Sequence, residues 1–427
     1  MRFRMAMLSV HSCPLGNLGT RDTGGMSIYV REMARELGKL GVTVDVYTKT
    51  HESEHTPLVD LGQNARLIHL KAGEDENLRK LDVYPYLPDF AGEVEDFRQR
   101  HDLDYDLIFS HYWLSGLAGD SLAQRWAVPH IMMFHTLGLI KNAIGVGVSE
   151  PPLRIEAEGY LAGRCRQIIA TTEGEKQQLA RHYGTPTERI SVIPCGINLD
   201  LFQPVDRETA RRKLGLNGKK TVLYVGRIEP LKGLSQLVKA MAQLPNSAGT
   251  RLLIIGGDEQ SRHEIDHLRK LVRRLKLTDS VTFWGIVDHE RLPLFYSAAD
   301  VCVIPSYYES FGLVALESIA CGTPVVTTSV GDLKSIIQPG ENGYVVPDND
   351  PRHLAAKIAL VLSRPLSETG STPAIRQSVA RFSWANVARA VIKDCQRLLD
   401  NPGDSSQVPK PSSERHRNRL HKLAPPG

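Results

Sequence analysis

The sequence predicts an α/β protein: two Rossmann-like, doubly wound parallel sheets in tandem, facing each other across a cleft. Three observations lead there. Short apolar runs alternate with longer amphipathic stretches, which is the pattern of βαβ units with helices on both sheet faces. The alternation pauses near residue 200 and starts afresh near residue 220. The chain has 427 residues, 41% apolar and 23% charged, which suits two or three ordinary globular domains.

The elements follow in order. In the first half the expected strands are RFRMAMLSV (2–10), VTVDVYT (42–48), ARLIHL (65–70), DLIFSHY (106–112), HIMMFHT (130–136), QIIATT (167–172) and ISVIPCG (190–196). Helix-length segments such as MSIYVREMARELGKLG and EGEKQQLARHYG lie between most of them, and the second stops at Gly184 and Pro186. The joint NLDLFQPVDRETARRKLGLNGKK is poor in apolar residues and places a domain boundary near 200–220. The second half repeats the scheme with TVLYVGR (221–227), RLLIIGG (251–257), VTFWGI (281–286), DVCVIPS (300–306), PVVTTS (324–329) and GYVVP (343–347). SWANVARAVIKDCQRLLD (383–400) is a last amphipathic helix, and the Pro-, Ser- and Arg-rich residues 403–427 form a disordered basic tail. Ligands of such sheets bind at the carboxyl ends of the strands, so functional residues are expected just after strands.

Composition excludes several classes. The formal net charge of +4 is too dilute for a nucleic-acid binder. No run approaches 18 apolar residues, so no transmembrane helix is expected. The start, MRFRMAMLSVHSCP, has too short an apolar run for a signal peptide, and a cytoplasmic protein opening on a buried strand follows. Weak attraction of the basic tail to anionic lipid is the one membrane contact considered. Cys13, Cys165, Cys195, Cys302, Cys321 and Cys395 are scattered without CxxC pairs and read as free buried thiols. Oligomeric state is left open.

Two patterns imitate metal sites. His263, Glu264 and His267 spell HEIDH, the zincin HExxH, but on a helix crowded with charge and without a third ligand. Asp102, Asp104 and Asp106 imitate a DxD metal clamp but precede a strand, on the wrong edge for a ligand. Neither is taken as a site, and no metal or other cofactor is expected.

The stronger signals follow strands. Gly24 and Gly25 end the long loop after the first strand, where glycine admits a ligand to the backbone and a helix N-terminus offers N–H groups. The loop is not GxGxxG, and Asp45 lies inside its strand, which argues against a nicotinamide dehydrogenase. GRIEPLKG supplies Arg227 and Lys232 around a turn that opens a helix, two cations suited to a diphosphate whose charge grows as it leaves. PSYYESFGLVALESIACGTPVV carries Glu309 in a loop and Glu317 eight residues on, with Phe311, Gly312 and Leu313 opening the helix between them. Two carboxylates in so apolar a segment suit sugar or ribose hydroxyls, because burying them unpaired is costly.

GRIEPLKG followed some eighty residues later by E-x7-E, with FHTLG in the first half, resembles the retaining glycosyltransferases of family 4 and their two-domain GT-B fold. The resemblance runs from about residue 2 to 400. It implies an acceptor-binding domain over 1–200, a nucleotide-sugar-binding domain over 201–380, and a helix over 381–402 packing back toward the first domain. It implies that Arg227 and Lys232 hold the donor diphosphate and Glu317 the ribose. Glu309 and His135 would touch the transferred sugar, and Gly24 and Gly25 would line the diphosphate and acceptor side. With Phe311, Gly312 and Leu313 these make the donor site, and His135, Arg227, Lys232 and Glu309 the catalytic set. A metal-independent transfer of a hexosyl group, with retention and from a UDP-linked donor, follows.

The long first loop ending in DTGGM, with SHYWLSG and FHTLG, is similar to a narrower branch holding inositol-phosphate N-acetylglucosaminyltransferases and sucrose-phosphate synthases. That similarity implies a small phosphorylated acceptor, its phosphate held by Lys71, Tyr112, Thr136 and Arg154. The alternatives are a lipid or polysaccharide acceptor in envelope biosynthesis and, further off, a sugar-nucleotide epimerase.

Overall fold

The computed structural model describes residues 3–16, 24–50, 56–73, 78–216, 218–245, 249–363 and 372–400. The expected tail over 403–427 lies outside them. Two sheets form. The first holds β1 Arg4–Leu8, β2 Thr43–Lys49, β3 Leu58–Gly62, β4 Ala65–Leu70, β5 Leu107–His111, β6 His130–Met133, β7 Gln167–Ala170 and β8 Ile190–Val192. Their spatial order is β3-β4-β2-β1-β5-β6-β7-β8. The second holds β9 Lys220–Val225, β10 Thr250–Ile255, β11 Val281–Gly285, β12 Val301–Ile304, β13 Val325–Thr328 and β14 Gly343–Val346, in the order β11-β10-β9-β12-β13-β14. In each sheet the order reverses beside the first strand, which opens a crevice at the carboxyl edge.

The expected all-parallel first sheet needs one correction. β3 was not expected as a strand, and it runs antiparallel to β4 at the edge, joined by a tight turn through Gln63 and Asn64. Only Leu61 of β3 is buried, so its sequence LVDLG lacks the apolar run that marks the inner strands. β1, β2 and β5, by contrast, are buried almost throughout, because helices cover both faces.

Several strands also end two or three residues before the apolar runs do. Phe134–Thr136 leave β6, Gly226 and Arg227 leave β9, and Pro305 and Ser306 leave β12. These trimmed ends are where the chain turns into the crevice.

The halves are joined twice. Ile197 N–H donates to the Phe382 carbonyl at 2.8 Å where the outgoing and returning segments cross. The returning helix Trp384–Asp400 packs against the helix Gly25–Lys39 of the first half. The Trp384 ring meets the Tyr29 ring edge-on at 5.3 Å, and a Cβ on Gly196 would lie 2.3 Å from the indole. Arg376 ties the outgoing segment to the second half, donating to the Leu199 carbonyl at 2.5 Å and the Ala320 carbonyl at 2.8 Å.

Candidate functional site

A cleft between the two sheets is lined from both halves, by His11, Gly24, Gly25, Lys80, Tyr112, His135, Thr136, Lys141 and Arg154 on one side and Arg227, Glu229, Lys232, Glu309, Phe311, Gly312, Leu313 and Glu317 on the other. All but one of the expected site residues are thus brought together. The exception is Lys71. It follows β4 as expected, but its side chain is exposed and is not part of the cleft wall. Lys80, from the segment beyond, takes that place.

The second-half wall is built by strand ends. After β9, Tyr224 Oη donates to the Arg227 carbonyl at 2.7 Å and fixes the turn. Gly233 then has φ +66°, and a Cβ there would lie 2.0 Å from the Pro305 carbonyl oxygen. Only glycine fits this crossing, which sets Lys232 against the loop after β12. Lys232 Nζ donates to Glu309 Oε1 at 2.7 Å, and Ser306 Oγ donates to the same oxygen at 2.7 Å. Arg227 pairs with Glu229 at 3.0 Å, a carboxylate that the sequence reading passed over.

Two helix N-termini meet here. Gly312, at φ +107° where a Cβ would lie 2.4 Å from Leu333, starts the helix Leu313–Ala320 without a side-chain cap. Gly24 starts the helix Gly25–Lys39, also without one, and a Cβ on Gly25 would lie 3.3 Å from Leu313 Cδ1. Uncapped first-turn N–H groups and two positive dipole ends therefore face one another across the cleft.

Glu317 is 4% exposed. Tyr296 Oη donates to its Oε2 at 2.7 Å, and His289 Nε2 lies 3.1 Å from its Oε1. Each oxygen keeps a lone pair, so the carboxylate can still accept from a diol. Neither His289 nor Tyr296 stands at a spacing that marks it in DHERLPLFYSA; both belong to the fold around Glu317.

On the first-half wall, His135 has φ +61°, a left-handed conformation that costs a non-glycine residue about 1–3 kcal/mol. Burial pushes its imidazole down to about 3, so it is neutral at neutral pH. His111, at the end of β5, lies 3.0 Å from it, Nδ1 to Nε2.

The Tyr112 ring has two cations against it, Arg154 at 4.8 Å from its centroid and Lys80 at 5.3 Å. Burial pushes the Tyr112 phenol up to about 12. Arg154 is fully buried. Its Nη2 donates to Thr136 Oγ1 and to the Thr136 carbonyl, both at 2.8 Å, and its Nε to Glu158 Oε1 at 2.7 Å. Its Nη1 is 2.8 Å from Glu150 Oε1 but makes no hydrogen bond. Burial alone would raise the Glu150 carboxyl, yet the charge of Arg154 and the pairing with Lys141 hold it at about 2. Burial likewise opposes ionisation of Glu229. Arg227, Lys232, Lys141 and Lys80 outweigh it and draw the carboxyl below its ordinary value. Cations from both halves thus line one cleft.

The two imitations of metal sites stay outside. His263 and His267 are exposed on the helix Arg262–Arg274, and Asp102, Asp104 and Asp106 are exposed before β5. Among the described residues no cluster of three metal-ligating side chains occurs. All six cysteines are buried and unpaired with one another, as expected. Among the described residues no helix is long and apolar enough to cross a membrane.

Comparison with known proteins agrees with this geometry. Residues 23–201 match the family model described as Glycosyltransferase Family 4, and residues 206–374 match Glycosyl transferases group 1. The chain is 39% identical to D-inositol 3-phosphate glycosyltransferase 2 of Catenulispora acidiphila, covering 93% of this chain and 96% of that one. It is 38% identical to the D-inositol 3-phosphate glycosyltransferase of Mycolicibacterium smegmatis, covering 98% and 96%. Among solved structures, a sucrose-phosphate synthase from Thermosynechococcus elongatus superposes with a TM-score of 0.85 at 34% identity, covering 93% and 99%. Fold, cleft and relatives agree: the chain belongs to the family-4 glycosyltransferases, with the GT-B fold.

Proposed function

We propose that the protein transfers a hexosyl group, with retention and without a metal, from a UDP-linked sugar to a hydroxyl of a small phosphorylated acceptor. An inositol phosphate is the first candidate and a hexose phosphate the second. The observation that carries this reading is the convergence of Arg227, Lys232, Lys80 and Lys141 on the cleft, beside two uncapped helix N-termini. An anion between the halves, and a second on the Tyr112 side, would answer that charge. The relatives carry the acceptor class, since two are named inositol 3-phosphate glycosyltransferases and one structural neighbour a sucrose-phosphate synthase.

Arg227, Lys232 and the N–H groups at Gly24–Gly25 and Gly312–Leu313 stabilise the departing diphosphate. Fixed cations here do what a metal would do elsewhere, and no cofactor beyond the nucleotide sugar is needed. Losing one preorganised donor of this type costs roughly 3–4 kcal/mol, or about 100–1,000-fold in rate. Glu317 accepts from the ribose hydroxyls through its two remaining lone pairs. Glu309, committed to Lys232 and Ser306, orients the sugar rather than attacking it, and the acceptor enters on the face the nucleotide leaves. Lys80, Tyr112, Thr136 and Arg154 hold the acceptor phosphate. Arg154 Nη1 still has hydrogens to give, and Thr136 Oγ1, which accepts from Arg154, keeps its own hydrogen. Closure of the halves excludes water and suppresses donor hydrolysis. Six buried thiols without a disulfide among them suit the cytoplasm.

The test is a matrix of nucleotide sugars against inositol phosphates, hexose phosphates and a membrane extract, read by product mass. Transfer from a UDP-sugar to a soluble phosphorylated polyol is expected. Glycosylation of the extract alone would replace this reading with a lipid acceptor, and an epimerised donor without transfer would refute it.

A further inference from the structure

His111 and His135 share a single hydrogen. Burial keeps both imidazoles neutral, and the contact of 3.0 Å between His111 Nδ1 and His135 Nε2 needs one nitrogen to donate and the other to accept. Two arrangements satisfy that need, and they differ at the far nitrogen of His111. His111 Nε2 is buried and has no hydrogen-bond partner. If His135 donated, His111 would carry its own hydrogen there as an orphaned buried N–H. If His111 donates, the orphan is only a bare lone pair. Unpaired buried N–H groups are the rarer and costlier of the two. The rings beside His111, Phe109 at 4.3 Å and Tyr29 at 5.5 Å between centroids, offer an N–H no more than a weak π contact.

We propose that His111 is a positioning residue: its Nδ1–H donates to His135 Nε2 and fixes His135 as the Nδ1–H tautomer. His135 then presents an N–H to the cleft, where it donates to a hydroxyl or ring oxygen of the transferred sugar. Two features of His135 agree. Its left-handed backbone aims the residue out of β6 rather than along it, and the residue lines the cleft. A neutral donor also serves retention, because it neither removes a proton from the acceptor nor repels positive charge developing at the anomeric carbon. The part concerning the sugar rests on the glycosyl-transfer reading; the tautomer does not.

The tautomer is read directly by long-range proton–nitrogen correlation spectra of the ligand-free protein labelled with 15N-histidine at neutral pH. His135→Asn, which tolerates the left-handed backbone, assigns the signals by their loss. The wild type should show His135 protonated at Nδ1 and bare at Nε2. His111→Phe should lose that preference and lower kcat at least about tenfold, with the donor KM within about threefold. His111→Asn, whose amide N–H stands where Nδ1–H stood, should keep both the tautomer and a kcat within about threefold of wild type. Protonation of His135 at Nε2 in the wild type would overturn the proposal. So would a His111→Phe protein with unchanged tautomer and unchanged kcat. If the tautomer is as stated but no nucleotide sugar is turned over, the glycosyl-transfer reading fails and the positioning role stands.

Discussion

Lys232 and Glu317 are the residues on which the proposed donor site turns. Lys232 is held by Glu309, and Glu317 by Tyr296 and His289, all in the second-half wall of the cleft except Tyr296 behind it. Lys232→Ala and Glu317→Ala should each lower kcat/KM at least about 100-fold, while His263→Ala, on an exposed helix, should change it less than about twofold. An equal loss at His263 would mean that the wrong constellation has been assigned. On the acceptor side the informative comparison is Lys80→Ala with Lys71→Ala. Lys80 lies over the Tyr112 ring in the cleft wall and Lys71 does not, so the acceptor KM should rise at least about tenfold for the first alone. Arg154→Ala is a poorer probe. It would take from buried Glu158 its cation and from Glu150 one of two, a loss of about 3–5 kcal/mol that confounds stability with binding.

Among the elements, the strand ends explain what was legible in the sequence and what was not. The apolar runs that mark β6, β9 and β12 are longer than the strands themselves, and the surplus residues are those that turn into the cleft. Arg227, Lys232 and Glu309 were legible because an ionisable residue after an apolar run has little structural reason to be there, and Glu317 because a carboxylate inside an apolar helix is costly to bury unpaired. Lys80, Lys141 and Glu229 were not: Lys80 and Glu229 reach the cleft from turns and Lys141 from the short helix Gly138–Ile144, and where these lie follows from tertiary packing. His111, His289 and Tyr296 escaped for another reason, since they sit inside buried elements and look like core. β3 escaped because a half-exposed edge strand has no run to detect. The returning helix Trp384–Asp400 carries a prediction at this scale. Trp384 packs against Tyr29 and against the bare Cα of Gly196, so Trp384→Ala should cost about 3–5 kcal/mol of stability, read from denaturant unfolding. A change below about 1 kcal/mol would show that the helix is not part of the joint between the halves.

For the whole molecule, the two halves supply complementary parts. The second brings Arg227 and Lys232, the first Lys80, Lys141 and Arg154, and neither half alone forms the convergent charge. In the proposed mechanism side-chain cations in these places carry the diphosphate, which predicts that activity persists in excess EDTA; full loss restored by manganese or magnesium would contradict that. The same charge arrangement predicts that the acceptor is recognised by its phosphate. The direct measurement compares an inositol phosphate with the same inositol lacking phosphate, at equal concentration, with a UDP-sugar donor and excess EDTA, scored by product mass. The phosphorylated acceptor should be turned over at least about 100-fold faster, the worth of one or two charge-assisted contacts. Equal turnover of the two, or transfer to the unphosphorylated one alone, would contradict the account.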